Sequence, residues 1–301
     1  MAKFSPTEAV FAGFAFARRR PASILIWSAY YLVVLVIALV ALFDLAGGKL
    51  QGLIALQQSG SADPNQMLAL MDGMMPALGF ATLILVVFGS VMRSAVIRNY
   101  LEPGPHVWGG LRFGGDELRV LGGYAMFILA MFLAMMGLST ATQAVASASK
   151  EAGALVMLIG LLLIAGLAVR LSLASVVAFK EKRVGACLRR SWTLTGGSFW
   201  RLVGAYVLVI AICAVILIVV LVLFGCLMAA AAVATGGNIA DVGVAMRRDY
   251  EGLHPVLIGL DVLLNLAQVW LSVVFLVVGL GVEVEAYRTF ATAKPDVDIR
   301  V

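Results

Sequence analysis

The sequence predicts an all-α polytopic membrane protein with six transmembrane helices. Three observations lead to this class: the composition, six long apolar stretches, and an uneven distribution of Lys and Arg between the loops. Of the 301 residues, 62% are hydrophobic and 13% are charged, whereas soluble domains have about 45–50% apolar and about 25% charged residues. A chain of this length cannot bury such an apolar excess in a soluble core, so the excess must face lipid.

Each of the six apolar stretches is long enough to cross a bilayer, which takes about 20 residues of helix. The predicted spans are 21–43, 76–99, 119–145, 153–179, 202–234 and 256–288. The fifth span exceeds one crossing, so it must tilt or project. The chain is therefore a single membrane domain, with residues 1–20 as an interfacial arm and residues 289–301 as a tail. The loop 44–75 is expected to contain two short interfacial helices, at 53–57 and 67–75.

The orientation follows from the 22 Lys and Arg residues. Lys49, Lys150, Arg247 and Arg248 lie on one side of the predicted membrane, and all the others lie on the side of the two termini and of loops 2–3 and 4–5. By the positive-inside rule, both termini and these two loops are cytoplasmic. The same asymmetry accounts for the net charge of +5, so no nucleic-acid partner is expected.

Two of the cytoplasmic segments share a pattern. In residues 115–124 and 197–206, a glycine is followed by an arginine four residues later, then by a glycine and a tyrosine. The N-terminal arm offers a weaker third copy, in which residues 11–14 precede Arg20 and the first span. The pattern predicts three units, each an interfacial helix followed by a two-span hairpin.

We name residues 182–201 the basic elbow, because its first part is the best amphipathic stretch of the chain. One helical face carries Lys182, Arg183, Arg189 and Arg190, and the other carries Val184, Cys187, Leu188, Ser191 and Thr195. Trp192 and Trp200 are placed as interfacial anchors, next to Arg201. Two interpretations remain open. The elbow either sets the topology, or it binds anionic lipid headgroups or an acidic partner.

Polar side chains also recur inside the apolar stretches. In the sixth span, a single helical face carries Asp261, Asn265, Gln268, Ser272, Gly279 and Glu283. Arg93 in the second span and Arg170 in the fourth lie at a depth similar to that of Glu283, so these three residues can form a cluster. We name the set Arg93, Arg170, Asp261, Asn265, Gln268 and Glu283 the polar track. It either ties helices together, or holds a lipid headgroup, a small anion or protons.

The chain contains no recognisable catalytic or metal-binding pattern. Its two histidines, His106 and His254, fall in different predicted loops on opposite sides of the membrane, and Cys187, Cys213 and Cys226 form no CxxC motif. Nucleotide-binding, zinc-protease and Ser/His/Asp patterns are absent from the sequence. We therefore expect a non-catalytic protein that needs no cofactor or metal.

A stretch around the basic elbow resembles a bacterial family. The residues concerned are Arg170-Leu-Ser-Leu-Ala, Phe179-Lys-Glu181, Gly185-Ala186, Arg189-Arg-Ser-Trp192-Thr-Leu-Thr and Gly197-Ser-Phe-Trp200-Arg. They are similar to the membrane domain that is fused to some glycerophosphodiester phosphodiesterases. The resemblance implies a stand-alone relative without the catalytic barrel, in a bacterial inner membrane.

Together these patterns favour a protein that binds, organises or moves phospholipid-like amphiphiles, with anionic membrane phospholipids as the expected partners. Two alternatives stay open. The protein could be a membrane scaffold that docks a protein partner through the basic elbow. It could also be an ion- or proton-coupled small-molecule transporter that uses the polar track between Asp261 and Glu283.

Overall fold

The computed structural model describes residues 4–59, 64–102, 104, 107–235 and 254–293. Within these ranges the chain is almost entirely helical and contains no strand. The α-helices are α1 (Pro6–Arg19), α2 (Pro21–Ser59), α3 (Pro64–Leu101), α4 (Gly115–Ala146), α5 (Lys150–Leu171), α6 (Ala174–Glu181), α7 (Cys187–Thr195), α8 (Phe199–Ala234) and α9 (Pro255–Ala293). The helical segments long and apolar enough to cross a membrane number six among the described residues, which confirms the predicted class.

The first hairpin is longer than the sequence suggested. The expected interfacial helices at 53–57 and 67–75 are wrong as separate elements, because α2 continues to Ser59 and α3 already begins at Pro64. Glycine is tolerated in membrane helices, so Gly47 and Gly48 do not end α2. The ammonium group of Lys49 donates a hydrogen bond to the carbonyl of Gly73 at 2.6 Å and ties the two helices together.

The predicted span 153–179 is not one continuous helix. It consists of α5 and α6, which are separated by a break at Ser172 and Leu173. The Ser172 hydroxyl donates to the carbonyl of Val169 at 3.0 Å, a local bond with which serine competes with the helical backbone. All residues from Ala174 to Phe179 are buried. The break therefore places α6 inside the bundle.

The main hydrophobic core lies at one end of the bundle, the end that carries α1, α6 and α7. We name it the basic end. Its core joins these short helices to α9 and to adjacent parts of the spanning helices. Toward the opposite end, apolar side chains on α4, α5 and α8 point outward, for example Leu133, Leu162 and Val222. Such side chains are suited to contact with lipid tails.

The described part of the predicted interfacial arm 1–20 is a helix with one buried face and one exposed face. Helix α1 packs along α9 and buries Ala9, Val10 and Gly13. A Cβ atom on Gly13 would lie 3.1 Å from the backbone of Val278. The contact therefore requires a residue without a side chain, as in closely packed membrane helices. The rings of Phe4 and Phe290 meet at a centroid distance of 5.3 Å, near the end of α9.

A short turn at Val107–Gly110 precedes α4, where the repeat pattern predicts the interfacial helix of the second unit. Trp108, Gly109 and Gly110 all have positive φ angles. The carbonyl of Gly109 accepts hydrogen bonds from the Trp27 indole at 3.0 Å and from the Asn99 amide at 2.9 Å. These bonds hold the turn against the hairpin of α2 and α3, with the Trp108 side chain 74% exposed.

A buried ion pair fixes the same turn to α4. Arg98 and Glu117 are hydrogen-bonded to each other, and Arg98 also donates to the carbonyl of Gly110 at 2.6 Å. Arg98 is only 2% exposed and Glu117 only 3%. The exposed side chain of Arg112 approaches the same carboxylate, with Nε 3.6 Å from Oε1. The start of α4 is thus tied to the end of α3.

Candidate functional site

A second ion pair, with a buried carboxylate and a half-buried guanidinium, joins three helices near the basic end. Arg93 lies on α3, Glu283 on α9 and Ser175 on α6. Nη1 of Arg93 is 3.8 Å from Oε2 of Glu283. The Ser175 hydroxyl accepts a hydrogen bond from Nη1 of Arg93 at 3.4 Å and donates one to Oε2 of Glu283 at 3.3 Å. The structure thus places two members of the predicted polar track in one cluster.

The depth of this cluster follows from the positions of its members on their helices. Arg93 lies eight residues before the end of α3, which is about 12 Å along the helix axis. Glu283 lies ten residues before the end of α9, which is about 15 Å. Ionisable side chains in apolar helices are costly in contact with lipid, so they face the bundle interior and pair there.

The cluster forms the polar end of a cavity of about 320 Å³. The remaining wall is largely apolar and comes from α4, α5, α6 and α8. It includes Phe127, Ala165, Ala168, Val169 and Ile210. Ala165 on α5 and Ile210 on α8 are exposed on the outer surface of the bundle, so the cavity opens sideways toward the region that lipid tails would occupy. Its volume is at the lower end of the range for ligand pockets.

Two tyrosines complete the polar end. The guanidinium carbon of Arg93 lies 4.5 Å from the ring centroid of Tyr124, a cation–π contact. The hydroxyl oxygen of Tyr206 is buried in the same cavity beside Ser172 and makes no hydrogen bond of good geometry among the described residues. A buried hydroxyl without a partner costs about 1–3 kcal/mol. A ligand oxygen that accepted its proton would recover this free energy.

Tyr124 and Tyr206 occupy equivalent positions in the two copies of the repeat pattern, residues 115–124 and 197–206. Each lies on the first helix of its hairpin, α4 or α8, within three turns of the helix start. The alignment therefore matches two residues that line one cavity. The threefold repeat itself stays a prediction, and its second copy begins with a turn instead of an interfacial helix.

A smaller cavity of about 240 Å³ adjoins the first one. It lies toward α2 and is lined by Tyr30, Val34 and Met92. Arg93 and Tyr124 line both cavities, so this stacked pair forms the wall between them. A change in the side-chain conformation of Arg93 would alter both spaces at once.

Arg170 lies apart from this cluster. Its guanidinium carbon is 5.0 Å from the ring centroid of Trp192 and 4.9 Å from that of Phe199. Its carbonyl accepts hydrogen bonds from the hydroxyls of Ser191 at 2.8 Å and Thr195 at 3.3 Å. Arg170 therefore holds α7 and the start of α8 in place. The sequence-based grouping of Arg170 with Arg93 and Glu283 is wrong.

The outer part of the polar track is also separate from Glu283. Asp261 precedes Glu283 by 22 residues on α9, about 33 Å along the axis. The Asn265 amide donates to the carbonyl and to Oδ2 of Asp261, at 2.9 and 3.2 Å. Asn265 is exposed and Gln268 half-buried, whereas Glu283 is buried. Although these residues share a helical face, the structure does not connect them into a buried path.

The basic elbow presents most of its predicted residues to the surroundings. The exposed members are Lys182, Arg183, Arg189, Trp192, Trp200 and Arg201. Trp200 is 79% exposed. The face opposite the cations is buried as predicted, at Cys187, Ser191 and Thr195, but it packs on the bundle instead of on lipid. This burial raises the pKa of the Cys187 thiol above its ordinary value, because the thiolate would lose its hydration.

Arg190 does not belong to the exposed face, contrary to the prediction. Its Nε lies 3.2 Å from Oε1 of Glu181, and the Tyr287 hydroxyl donates to the same oxygen at 3.3 Å. The side chain is only 12% exposed. The helical wheel misplaced it because Glu181, on the preceding helix, draws the guanidinium inward. Arg190 is thus a link between α6, α7 and α9.

Sequence reasoning missed several residues that shape the site. Ser175 gave no signal, because a single serine in an apolar helix is common, and Tyr206 was marked by the repeat pattern but not as a member of a site. The pair of Arg98 and Glu117 was also missed, although Glu117 lies in the first turn of α4, where an acidic residue is favoured. Of the two histidines, His254 is described and exposed, and His106 lies outside the described residues.

The fold and the cavity define this chain as an all-α polytopic membrane protein. Comparison with protein-family models, with curated proteins and with solved structures found no match in any of the three. Among the described residues, no group of three or more His, Cys, Asp or Glu side chains is arranged to hold a metal ion. The function must therefore be argued from the cavity and the basic elbow.

Proposed function

We propose that the protein binds a phospholipid-like amphiphile in the cavity that ends on Arg93 and Glu283, and that it organises or moves such lipids in a bacterial inner membrane. The observation that carries the proposal is the combination of a sideways opening, an apolar wall and one polar end. An amphiphile likewise consists of an apolar chain and one polar end. Its chain would lie along Phe127 and Ile210, and its polar group would reach Ser175 and the Tyr206 hydroxyl.

The geometry supports lipid binding better than it supports transport along α9. A transported ion or proton needs a continuous series of polar groups or waters across the membrane. The 33 Å between Asp261 and Glu283 estimated above are not bridged by the contacts of Asn265, which return to Asp261 itself. The cavity, in contrast, is continuous with the lipid-facing surface at Ala165.

The test is native mass spectrometry of the full chain in mild detergent, with lipid extraction from the same preparation. Ala168→Trp places a bulky side chain in the cavity and leaves Arg93 and Glu283 unchanged. Ala154→Trp makes the same change at an exposed position of α5 that does not line the cavity. We expect the wild type and Ala154→Trp to retain a lipid that Ala168→Trp loses. Equal retention by both variants would show that the cavity is not the binding site.

The exposed cations of the basic elbow favour a second candidate surface, with anionic headgroups or an acidic partner protein as the ligand. Each basic residue near an anionic membrane surface contributes about 1 kcal/mol. The double variant Arg183→Gln, Arg189→Gln removes two exposed cations and leaves the Arg190–Glu181 link intact. Loss of a retained anionic lipid in this variant would assign the elbow to lipid. If it instead lost a stoichiometric protein, with no enriched lipid, the scaffold alternative would be favoured.

A further inference from the structure

The polar end of the cavity is electrically balanced. Among the residues that line it, Arg93 and Glu283 are the two that carry charge, one of each sign. A ligand that brought a single net charge would leave the site charged. In a low-dielectric environment, a buried charge without a counter-charge is strongly unfavourable. The site therefore suits a polar group that is itself neutral overall.

The balanced pair is also incompletely satisfied. The hydrogen bonds of Arg93 within the described chain involve Nη1, so Nε and Nη2 have capacity left for an acceptor. The Tyr206 hydroxyl in the same cavity lies beside Ser172 but makes no hydrogen bond of good geometry. The separations between Arg93, Ser175 and Glu283 are 3.3 to 3.8 Å, longer than those of a tight ion pair. A ligand can therefore enter between the two charges without displacing a saturated network.

The neighbouring pair of Arg98 and Glu117 differs in access, although Nε of Arg98 and Oε2 of Glu117 are buried without hydrogen-bond partners among the described residues. It lies in direct hydrogen-bonded contact, and Arg98 also bonds the carbonyl of Gly110. Neither residue lines a cavity described above. Two arginines five residues apart on α3 thus have different surroundings. One is enclosed by protein, and the other faces an accessible space.

We infer that the cavity binds the headgroup of a zwitterionic phospholipid, with its phosphate on Arg93 and the Tyr206 hydroxyl and its ammonium group on Glu283 and Ser175. This inference rests on the proposed function and specifies the class of lipid. A phosphate without an ammonium group would attract Arg93 away from Glu283 and leave a buried carboxylate without a partner. An uncharged lipid would offer Arg93 only ester carbonyl and hydroxyl oxygens, which are weaker acceptors than a phosphate.

The test is competition between phospholipids that have identical chains and different headgroups. The full chain is reconstituted in nanodiscs of equimolar phosphatidylethanolamine, phosphatidylglycerol and diacylglycerol, and bound lipid is quantified by native mass spectrometry after release into detergent. We expect phosphatidylethanolamine to be retained over phosphatidylglycerol by about tenfold, which corresponds to about 1.4 kcal/mol. Ala168→Trp should abolish the difference, and Ala154→Trp should preserve it.

Glu283→Gln provides a reversal that a merely structural role would not produce. It leaves the shape of the side chain and makes the site cationic, so phosphatidylglycerol should now be preferred. Arg189→Gln, which removes an exposed cation on the basic elbow, should leave the preference unchanged. If Glu283→Gln does not fold, N-acylated phosphatidylethanolamine tests the wild type instead, because it lacks the ammonium charge and should compete poorly.

The outcomes separate the inference from the proposed function. Retention of phosphatidylglycerol equal to or above that of phosphatidylethanolamine, abolished by Ala168→Trp, would overturn the zwitterionic assignment and leave lipid binding in the cavity intact. Retention that is unaffected by Ala168→Trp would overturn both. An unchanged preference in folded Glu283→Gln would show that Glu283 does not receive the ammonium group.

Discussion

Removal of Glu117 provides a stringent test of the packing at the basic end. Glu117→Ala leaves the Arg98 guanidinium, which is 2% exposed, without its carboxylate partner. Breaking a buried pair from one side costs about 3–5 kcal/mol, because an uncompensated charge stays buried. The carbonyl of Gly110, which accepts a hydrogen bond from Arg98, has no charge and cannot neutralise the guanidinium. We expect the free energy of unfolding to fall by about this amount, with loss of the Val107–Gly110 turn.

The assay is reversible unfolding in mixed micelles with increasing denaturing detergent, followed by tryptophan fluorescence. Arg119→Ala is the matched control, because it breaks an ion pair on the same helix turn, with Asp116 at 2.9 Å, that is partly exposed. Exposed pairs contribute about 0–1 kcal/mol. The reasoning is refuted if Glu117→Ala destabilises no more than Arg119→Ala. The double change Arg98→Met, Glu117→Leu should recover most of the loss, since it removes both charges.

Three further predictions concern other elements of the basic end. Gly13→Leu should lower the free energy of unfolding by about 1–3 kcal/mol, because the new side chain overpacks the contact of α1 with α9. Ala12→Leu, on an exposed side of α1, is the control and should change the stability little in the same unfolding assay. Lys182→Gly should stabilise the protein by about 1 kcal/mol, because Lys182 has φ 56° at the end of α6, where glycine is free of strain. Equal stabilisation by the adjacent Arg183→Gly would show that the backbone angle of Lys182 is not the cause. Cys187 is fully buried and its burial raises its pKa, so maleimide labelling of Cys187 should be slower in the folded protein than in the unfolded chain at every pH from 7 to 10, as measured by mass spectrometry.

The fold class could be predicted from composition because the bilayer imposes one requirement on every span. About 20 apolar residues must be helical to satisfy their backbone groups without water. The ends of the helices could not be predicted in the same way. Gly47 and Gly48 resemble a loop by the rules for soluble proteins, yet α2 continues through them. The break at Ser172 depends on tertiary packing around α6, which leaves no periodic signal.

The candidate site was predictable only for the charged side chains, which must be buried in the bundle and paired. Arg93 and Glu283 were expected to meet because each is costly anywhere except in the bundle interior. The charge of Arg170 is equally unfavourable in contact with lipid, but it is stabilised differently, by the aromatic rings of Trp192 and Phe199 next to its guanidinium. Ser175 and Tyr206 join the cavity through the positions of α6 and α8. Those positions are set by packing over long sequence separations, which one sequence does not display.

The contact between α1 and α9 has a consequence for biogenesis. Helix α1 is made before α9, so Gly13 has no packing surface at Val278 until α9 has left the ribosome. Until then, α1 lies beside an incomplete bundle. Chains that end before α9 would present this unpaired helix to quality-control proteases, which triage unfolded segments. Synthesis of α9 is therefore the step that allows α1 to reach its native packing.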